Sequence, residues 1–400
     1  MAKILGIGNA VLDTILTIPH YPKENQEMRA LEKRVSTGGN VNNTLYVLNQ
    51  LGHQSHLCTT LATDNEAKQL LAGLKKRQIS TKYIQTFIQG QTPHSFITIN
   101  KENGHRTIIH YRNLPEVTFD HFAKITIEAF DWLHFEGRNI ENLSGMLNIA
   151  KTFLTTQPIS LEIEKDWKGI EQLFGQANLI IFSHHYAHEK GFSNGLELLQ
   201  QIQQNTPNTK LVCTWGERGV WFADINQPVQ HIKAEKMDSI VDTLGAGDTF
   251  NAALIHYLIQ GKSFNDSVKQ ANAFAAQKCT QVGLNNLLQT SILQKPIANT
   301  KQLSTAKSLV IHNKTRNQSI ILIKYKETVK AYENNCPHQN IPLDEAYKID
   351  INPFQKTMKC SVHDAFFKIE DGECIEGPCR NESLATVEIT IDEQGDIYLV

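Results

Sequence analysis

Two short stretches of this 400-residue chain hold residue types that could do chemistry. The first is Leu244-Gly245-Ala246-Gly247-Asp248-Thr249, directly ahead of an apolar run with helical spacing. Glycines let a backbone approach a ligand closely. A helix starting there directs free amides and positive dipole at one point, which suits developing phosphate charge. Asp248 could take a proton from an attacking hydroxyl, and phosphoryl transfer needs little beyond positioning, charge stabilisation and such a base. The plain alternative is a glycine-rich turn whose aspartate caps the helix. The second stretch is Cys336-Pro337-His338, then twenty-one residues, then Cys360-Ser361-Val362-His363. Two thiols and two imidazoles in matched pairs point to a metal centre. Cys2His2 is also a common zinc set, but zinc pairs usually have two to four intervening residues and the first pair here has one.

The elements that must position these residues read as two domains. Residues 1–290 alternate short apolar runs (3–9, 131–134, 179–182, 210–214) with helical patterns. Within residues 40–51, Val41, Leu45 and Leu48 recur at helical spacing and Gly52 closes the run. Residues 247–260 form a helix with Phe250, Leu254, Tyr257 and Leu258 on one face and Gly261 as its stop. This rhythm predicts a doubly wound, mostly parallel α/β sheet with helices on both faces. Residues 291–306, rich in Gln, Ser, Thr and Asn, read as a linker. From 307 to 400 the apolar period switches to two, over 308–312, 320–325 and 329–332. Asp371-Gly372 and Gln394-Gly395 look like hairpin turns, so this is a small all-β domain.

The first domain resembles the ribokinase-like (PfkB) sugar kinases. Val241-Asp242-Thr243 followed by the glycine turn and Phe250-Asn251 is similar to that family's C-terminal signature. Gly38-Gly39-Asn40-Val41-Asn42-Asn43 is similar to its N-terminal one. Tyr21-Pro22-Lys23-Glu24, Arg106-Thr107-Ile108, Glu136-Gly137-Arg138-Asn139 and Lys278-Cys279 resemble the ketohexokinase branch. The resemblance implies ATP-dependent phosphorylation of a sugar hydroxyl, with a ketohexose such as fructose foremost. It implies Asp248 as base, with Gly245, Ala246 and Gly247 as the anion hole. Asp13, Gly39, Asn40 and Asn43 would bind the sugar, and Arg106 would lie near the transferred phosphate. Gly216, Glu217, Arg218 and Gly219 fall where the family contacts ATP, alongside Arg106, Gly245 and Gly247. Mg²⁺ would bridge the phosphates. The wider family's Asn-x-x-Glu motif is replaced by Ser183-His184-His185-Tyr186, which leaves Glu162 and Glu164 as candidates to position the metal. The resemblance also implies a small β lid, near residues 11–37 and 95–112, and a homodimer formed through it. Asp13, Asn40, Arg106 and Glu136 also have plain readings as turn, cap or surface residues.

The second domain resembles the Rieske-type ferredoxins. Cys-x-His and Cys-x-x-His are that family's ligand pairs, and Gly372-Glu373-Cys374-Ile375-Glu376-Gly377-Pro378 is similar to its following hairpin and proline loop. The resemblance implies a 2Fe-2S cluster, with Cys336 and Cys360 on one iron and His338 and His363 on the other. The gap between the pairs is long, so residues 341–359 are expected to hold an inserted loop. Cytochrome-complex relatives carry cysteines that bridge their two cluster loops; this chain has Ile341 and Val362 in or beside those loops, so that disulfide is not expected. Cys374 and Cys379 take no role from the family; they read as plain thiols or as a redox pair.

The bulk properties bound the rest. Seven cysteines, three of them scattered, argue against a disulfide framework. The N-terminus lacks a signal-peptide pattern and no apolar run reaches the ~18 residues of a membrane span, so a cytoplasmic address is expected. A net charge of −2 gives no reason to expect nucleic acid. Residues 341–400 carry five Lys/Arg against thirteen Asp/Glu, a surface that could steer a basic electron-transfer partner or simply be solvated. Gly6-Ile7-Gly8 lacks the third glycine of a dinucleotide fingerprint. Besides a ketohexose kinase, the sequence admits a kinase of another sugar or nucleoside. It also admits a Rieske redox protein on a sugar-binding scaffold with little turnover.

Overall fold

The computed structural model describes residues 1–102, 104–237, 240–289, 296–303, 307–313, 318–326, 328–391 and 395–399. The chain divides into two compact units, Met1–Ile292 and Leu293–Val400.

In the first unit the strands are β1 (Lys3–Ile7), β2 (Val11–Ile18), β3 (Glu32–Gly38), β4 (Gln54–Ala62), β5 (Ser80–Phe87), β6 (His94–Asn100), β7 (Arg106–Tyr111), β8 (Trp132–Glu136), β9 (Ile159–Ile163), β10 (Leu179–Ser183), β11 (Lys210–Thr214), β12 (Val220–Ala223) and β13 (Gln230–Ile232). The helices are α1 (Asn40–Gln50), α2 (Asn65–Lys76), α3 (Phe119–Phe122), α4 (Ile140–Phe153), α5 (His184–Glu189), α6 (Gly195–Gln203), α7 (Ala246–Ile259) and α8 (Phe264–Lys278). Among the described residues, nine strands form one sheet in the order β13-β12-β11-β10-β9-β8-β1-β4-β5. Its pairings from β5 to β11 are parallel, and β12 and β13 continue antiparallel at one edge. Central parallel strands are covered on both faces, which demands unbroken apolar runs. Leu179, Ile180, Ile181 and Phe182 are buried in succession for that reason. A second sheet, β3-β2-β6-β7, forms the lid expected near 11–37 and 95–112.

Helix α7 is buried along most of its length rather than along one stripe. It packs against both α8 and α1. That position brings its N-terminus to the start of α1, which follows β3. Gly39 caps α1 with φ +99°, and a Cβ there would meet the Asn9 carbonyl oxygen at 2.4 Å. Only glycine makes this turn without strain.

The second unit contains β14 (Ala298–Asn299), β15 (Leu309–Asn313), β16 (Gln318–Tyr325), β17 (Thr328–Glu333), β18 (Asp350–Asn352), β19 (Thr357–Lys359), β20 (Phe366–Lys368), β21 (Cys374–Glu376), β22 (Ile389–Ile391) and β23 (Asp396–Leu399). They form small sheets ordered β14-β23-β22, β15-β16-β17 and β18-β19-β20-β21. Strand β16 divides two cores by its period of two. Ile321 and Ile323 join Tyr332, Leu343, Met358, Phe367 and Leu384 around the four clustered cysteines, whereas Ile320 and Leu322 join Ala298, Ile397 and Leu399. The stretch read as a linker, 291–306, holds β14 in its described part, and β14 pairs with β23 inside this unit. The stretch read as an inserted loop, 341–359, holds the β18–β19 hairpin. Asp371-Gly372 does turn between β20 and β21. Of the other expected turn, Gln394 lies outside the described residues and Gly395, at φ +84°, leads into β23.

Candidate functional site

In the first unit the polar residues converge where the N-termini of α1 and α7 meet. Gly245 caps α7 at φ +81° with no side-chain cap, so the glycine turn and not Asp248 ends the helix. Asp248 lies in the first turn, 7 % exposed, and its Oδ2 accepts a hydrogen bond from Asn43 Nδ2 at 2.9 Å. A Cβ on Gly247 would meet nothing within 4 Å, so open space lies beside the first turn of the helix. Asp242 fixes the approach to this turn. It accepts from the Leu244 amide at 2.8 Å and the Gly283 amide at 2.9 Å, while buried Lys278 donates to its carbonyl at 2.6 Å. Arg106 on β7 donates to Thr243 Oγ at 2.9 Å, which ties the lid sheet to the same loop.

Burial pushes Asp248 up to about 7; the Asn43 hydrogen bond opposes this and the Glu164 and Glu136 charges add to it. Burial likewise raises Asp13 to about 6, against a Ser95 hydrogen bond and the charges of Arg77 and Arg34. Glu162 is driven well above the usual carboxylate range by burial first, then by Asp248, Glu164 and Glu136. Asn40 does not cap α1; its Nδ2 donates to Glu162 Oε1 at 3.4 Å and to Glu164 Oε2 at 3.2 Å. Thus Asp13, Asn40, Asn43 and Asp248 gather with Glu162 and Glu164. The backbone of β3 comes so near Asp13 that a Cβ on Gly38 would stand 1.8 Å from its Oδ2.

Arg77 was not foreseen. It follows α2, lies under the ring of Tyr46 at 4.6 Å, and donates to Asn43 Oδ1 at 3.1 Å. Burial lowers it to about 10, opposed by Tyr46, Asp13 and Asp248, so it stays cationic and orients Asn43 toward Asp248. In sequence it ends a Lys-Lys-Arg run, which reads as a solvated helix terminus. Arg112 was also missed: it donates to Asn9 Oδ1 at 2.7 Å, and the Asn9 amide donates to Glu136 Oε2 at 2.7 Å. Arg138 pairs with Glu136 and Glu116, whereas Asn139 bonds the Val117 carbonyl. Gly216, Glu217, Arg218 and Gly219 form a separate tight turn between β11 and β12, closed by the Trp215 amide on the Gly219 carbonyl at 2.8 Å. Trp215 there stacks edge-on with His188.

The second unit repeats one loop twice. The Cys336 amide bonds the Ile341 carbonyl at 2.7 Å and the Cys360 amide bonds the Ala365 carbonyl at 2.9 Å, each spanning five residues. Asn340 and Asp364, the fourth residue after each cysteine, both take positive φ. The loops bring the rings of His338 and His363 to 4.6 Å, nearly perpendicular. Nδ1 of each ring is buried without a partner. Cys336 and Cys360 are fully buried. Among the described residues no three His, Cys, Asp or Glu side chains converge as a single ion would require. Cys336 and Cys360 interact as a sulfur pair, and the two imidazoles stand as a second pair.

The profile of the pfkB family carbohydrate kinases matches residues 1–291. The chain belongs to that family. The Rieske 2Fe-2S domain profile matches residues 294–389. Mouse (Mus musculus) ketohexokinase is 34 % identical over 294 residues, covering 72 % of this chain and 99 % of that protein. Ribokinase of Dictyostelium discoideum is 24 % identical, covering 70 % and 95 %. Among solved structures, Giardia lamblia ribokinase superposes with a TM-score of 0.63 at 15 % identity, covering 72 % and 97 %. Arabidopsis thaliana ribokinase, complexed with ribose and ATP, gives 0.58 at 16 % identity, covering 72 % and 99 %. These last two speak for the ribokinase-like fold. The kinase domain uses ATP and Mg²⁺, and the Rieske domain uses a 2Fe-2S cluster. The residues present fit both. Open space beside Gly247 at the α7 N-terminus suits an anion, and Glu162 Oε2, buried and unpartnered, is a hard oxygen donor of the kind Mg²⁺ takes. The two orphaned Nδ1 atoms and two buried thiols are the donor set of a Rieske cluster.

Proposed function

We propose that the first unit transfers the γ-phosphoryl group of ATP to a hydroxyl of a ketohexose, fructose foremost. The observation that carries this reading is the buried Asp248 carboxylate in the first turn of α7, held by Asn43, with open space beside the neighbouring Gly247. Asp248 takes the proton of the sugar hydroxyl as its oxygen attacks the γ-phosphorus; the bond to the β-phosphate oxygen breaks and ADP leaves. Amides of Gly245, Ala246 and Gly247 receive the charge that develops. Asp13, Asn40 and Asn43 supply a carboxylate and two carboxamides to adjacent sugar hydroxyls, a compact set of acceptors and donors. Arg106, already at Thr243, meets the transferred phosphate, and the 216–219 turn borders the nucleotide. Mg²⁺, when bound, neutralises phosphate charge; Glu162 and Glu164 would hold it.

The 34 % identity to mouse ketohexokinase favours a ketose over ribose. Exposed Val35, Phe96, Ile108 and Ile109 on the lid sheet support a homodimer formed through it. The Rieske domain serves as an electron-transfer or redox-sensing module, with the acidic C-terminal surface meeting a basic partner. The linker between the two domains falls within residues 291–306. An ATP-coupled assay of the purified chain over fructose, other hexoses, ribose and nucleosides tests the reading. Highest kcat/KM on a ketohexose is expected; turnover confined to a nucleoside, or none on any acceptor, would reject it.

A further inference from the structure

Cys374 opens β21 and Cys379 lies in the loop that follows. Cys379 Sγ donates to Cys374 Sγ at 3.2 Å, and each side chain is 1 % exposed. The fold imposes this meeting. The Cys374 amide bonds the Glu382 carbonyl at 2.8 Å, and the Glu382 amide bonds the Cys379 carbonyl at 3.0 Å. Between them Gly377 turns at φ +112°, so close to the second ligand loop that a Cβ would stand 2.7 Å from Ala365 Cα. The hairpin thus folds back on the loop of Cys360 and His363 with two sulfurs side by side. Cys379 also interacts with Cys336, so the pair adjoins the metal-ligand thiols. Bonded sulfurs stand ~2.05 Å apart, so about 1.1 Å of closure within a five-residue loop joins them.

We propose that Cys374 and Cys379 are a reversible dithiol–disulfide site, oxidised by a hydroperoxide, built against the Rieske ligand loops. One sulfur attacks a peroxide oxygen; the O–O bond breaks, giving a sulfenic acid and water. The second sulfur displaces the sulfenic hydroxyl, the S–S bond forms, and a second water leaves. Two thiols and one hydrogen peroxide therefore give one disulfide and two waters. An external dithiol reverses it by exchange, itself becoming a cyclic disulfide. Hydrogen bonds to cluster sulfurs help set the reduction potential, so losing the Cys379 S–H beside Cys336 shifts the cluster to lower potential.

Trypsin cleavage after Lys368 and Arg380 leaves both cysteines in one peptide, residues 369–380. The full chain with its cluster is treated with equimolar hydrogen peroxide, denatured, alkylated and digested for mass spectrometry. The expected peptide is two hydrogens lighter than its dithiol form and unalkylated, with visible cluster absorption retained, and dithiothreitol restores double alkylation. Cys374→Ser and Cys379→Ser each abolish the peroxide-dependent shift in cluster potential. Two alkylated thiols after treatment, or a disulfide that forms only once the cluster has bleached, overturns the proposal. The wild-type peptide decides the matter even if neither variant folds.

Discussion

The two sites solve the burial of polar atoms in opposite ways. In the kinase unit most of these groups satisfy one another: Arg77 holds Asn43, Asn43 holds Asp248, and Asn40 spans Glu162 and Glu164, with Glu162 Oε2 alone of this set left buried and unpaired. In the Rieske unit the inward Nδ1 atoms of His338 and His363 have no protein partner, and a buried unpaired polar atom costs about 1–3 kcal/mol. The sugar-facing part of the first site is therefore built before its ligands arrive, whereas the second is completed by what it binds. Loss of one residue should cost the first site rate and the second site occupancy.

Asp248→Ala should give the largest effect. Removing a positioned base costs ~10²–10⁴-fold, and here the same carboxylate anchors Asn43, so kcat should fall to the far end of that range with the melting temperature retained. Activity near wild type would end its assignment as base. His338→Ala should instead act on occupancy: iron and the visible bands are lost, because one imidazole remains where two hold the second iron. Sugar binding by the kinase unit is the contrast, measured by calorimetry on the same variant. If a bound iron pair persists, the paired-donor reading fails. Zinc at one equivalent in the wild-type chain would break the comparison from the other side.

A third test reads the pH profile. Asp248 must be ionised to accept a proton, so kcat/KM should fall as pH drops through about 7. The Asn43 hydrogen bond is the largest influence keeping Asp248 ionised. A hydrogen bond to a charged group is worth ~1.5–3 kcal/mol, so Asn43→Ala should move the acid limb up by about one to two pH units. A lower plateau with an unmoved limb would mean that Asn43 only contacts sugar.

The same contrast explains what the sequence disclosed. The glycine turn and the two Cys/His pairs were legible because their chemistry requires neighbours along the chain. The central sheet was legible because burial on both faces forces unbroken apolar runs such as 179–182, whereas the half-exposed lid came only with the family resemblance. Arg77 was not, since a basic helix end is ordinarily solvated, and only packing of α2 beneath the lid turns it inward. The contact of Cys374 with Cys379 depends on Gly377 reversing the chain, and a five-residue spacing alone does not announce it. The β18–β19 hairpin was hidden because its strands are three residues each, too short to show a period.

The smallest effect expected is a gain. Glu162 is buried beside Asp248, Glu164 and Glu136, and its carboxyl is raised well above the ordinary value. A carboxyl raised by folding contributes stability fully below its unfolded value, ~4.3, and loses that contribution as pH rises through its folded value. Ionised Glu162 therefore burdens the metal-free fold on the alkaline side, and Glu162→Gln removes the burden at nearly equal volume. With metal chelated at pH 9, the variant should melt a few degrees higher, since about 1 kcal/mol moves Tm by ~2–4 °C in a domain of this size. The difference should shrink as pH falls, because a carboxyl raised in the fold then regains its proton there. A variant less stable than wild type at pH 9 would show that the carboxylate is compensated within the fold.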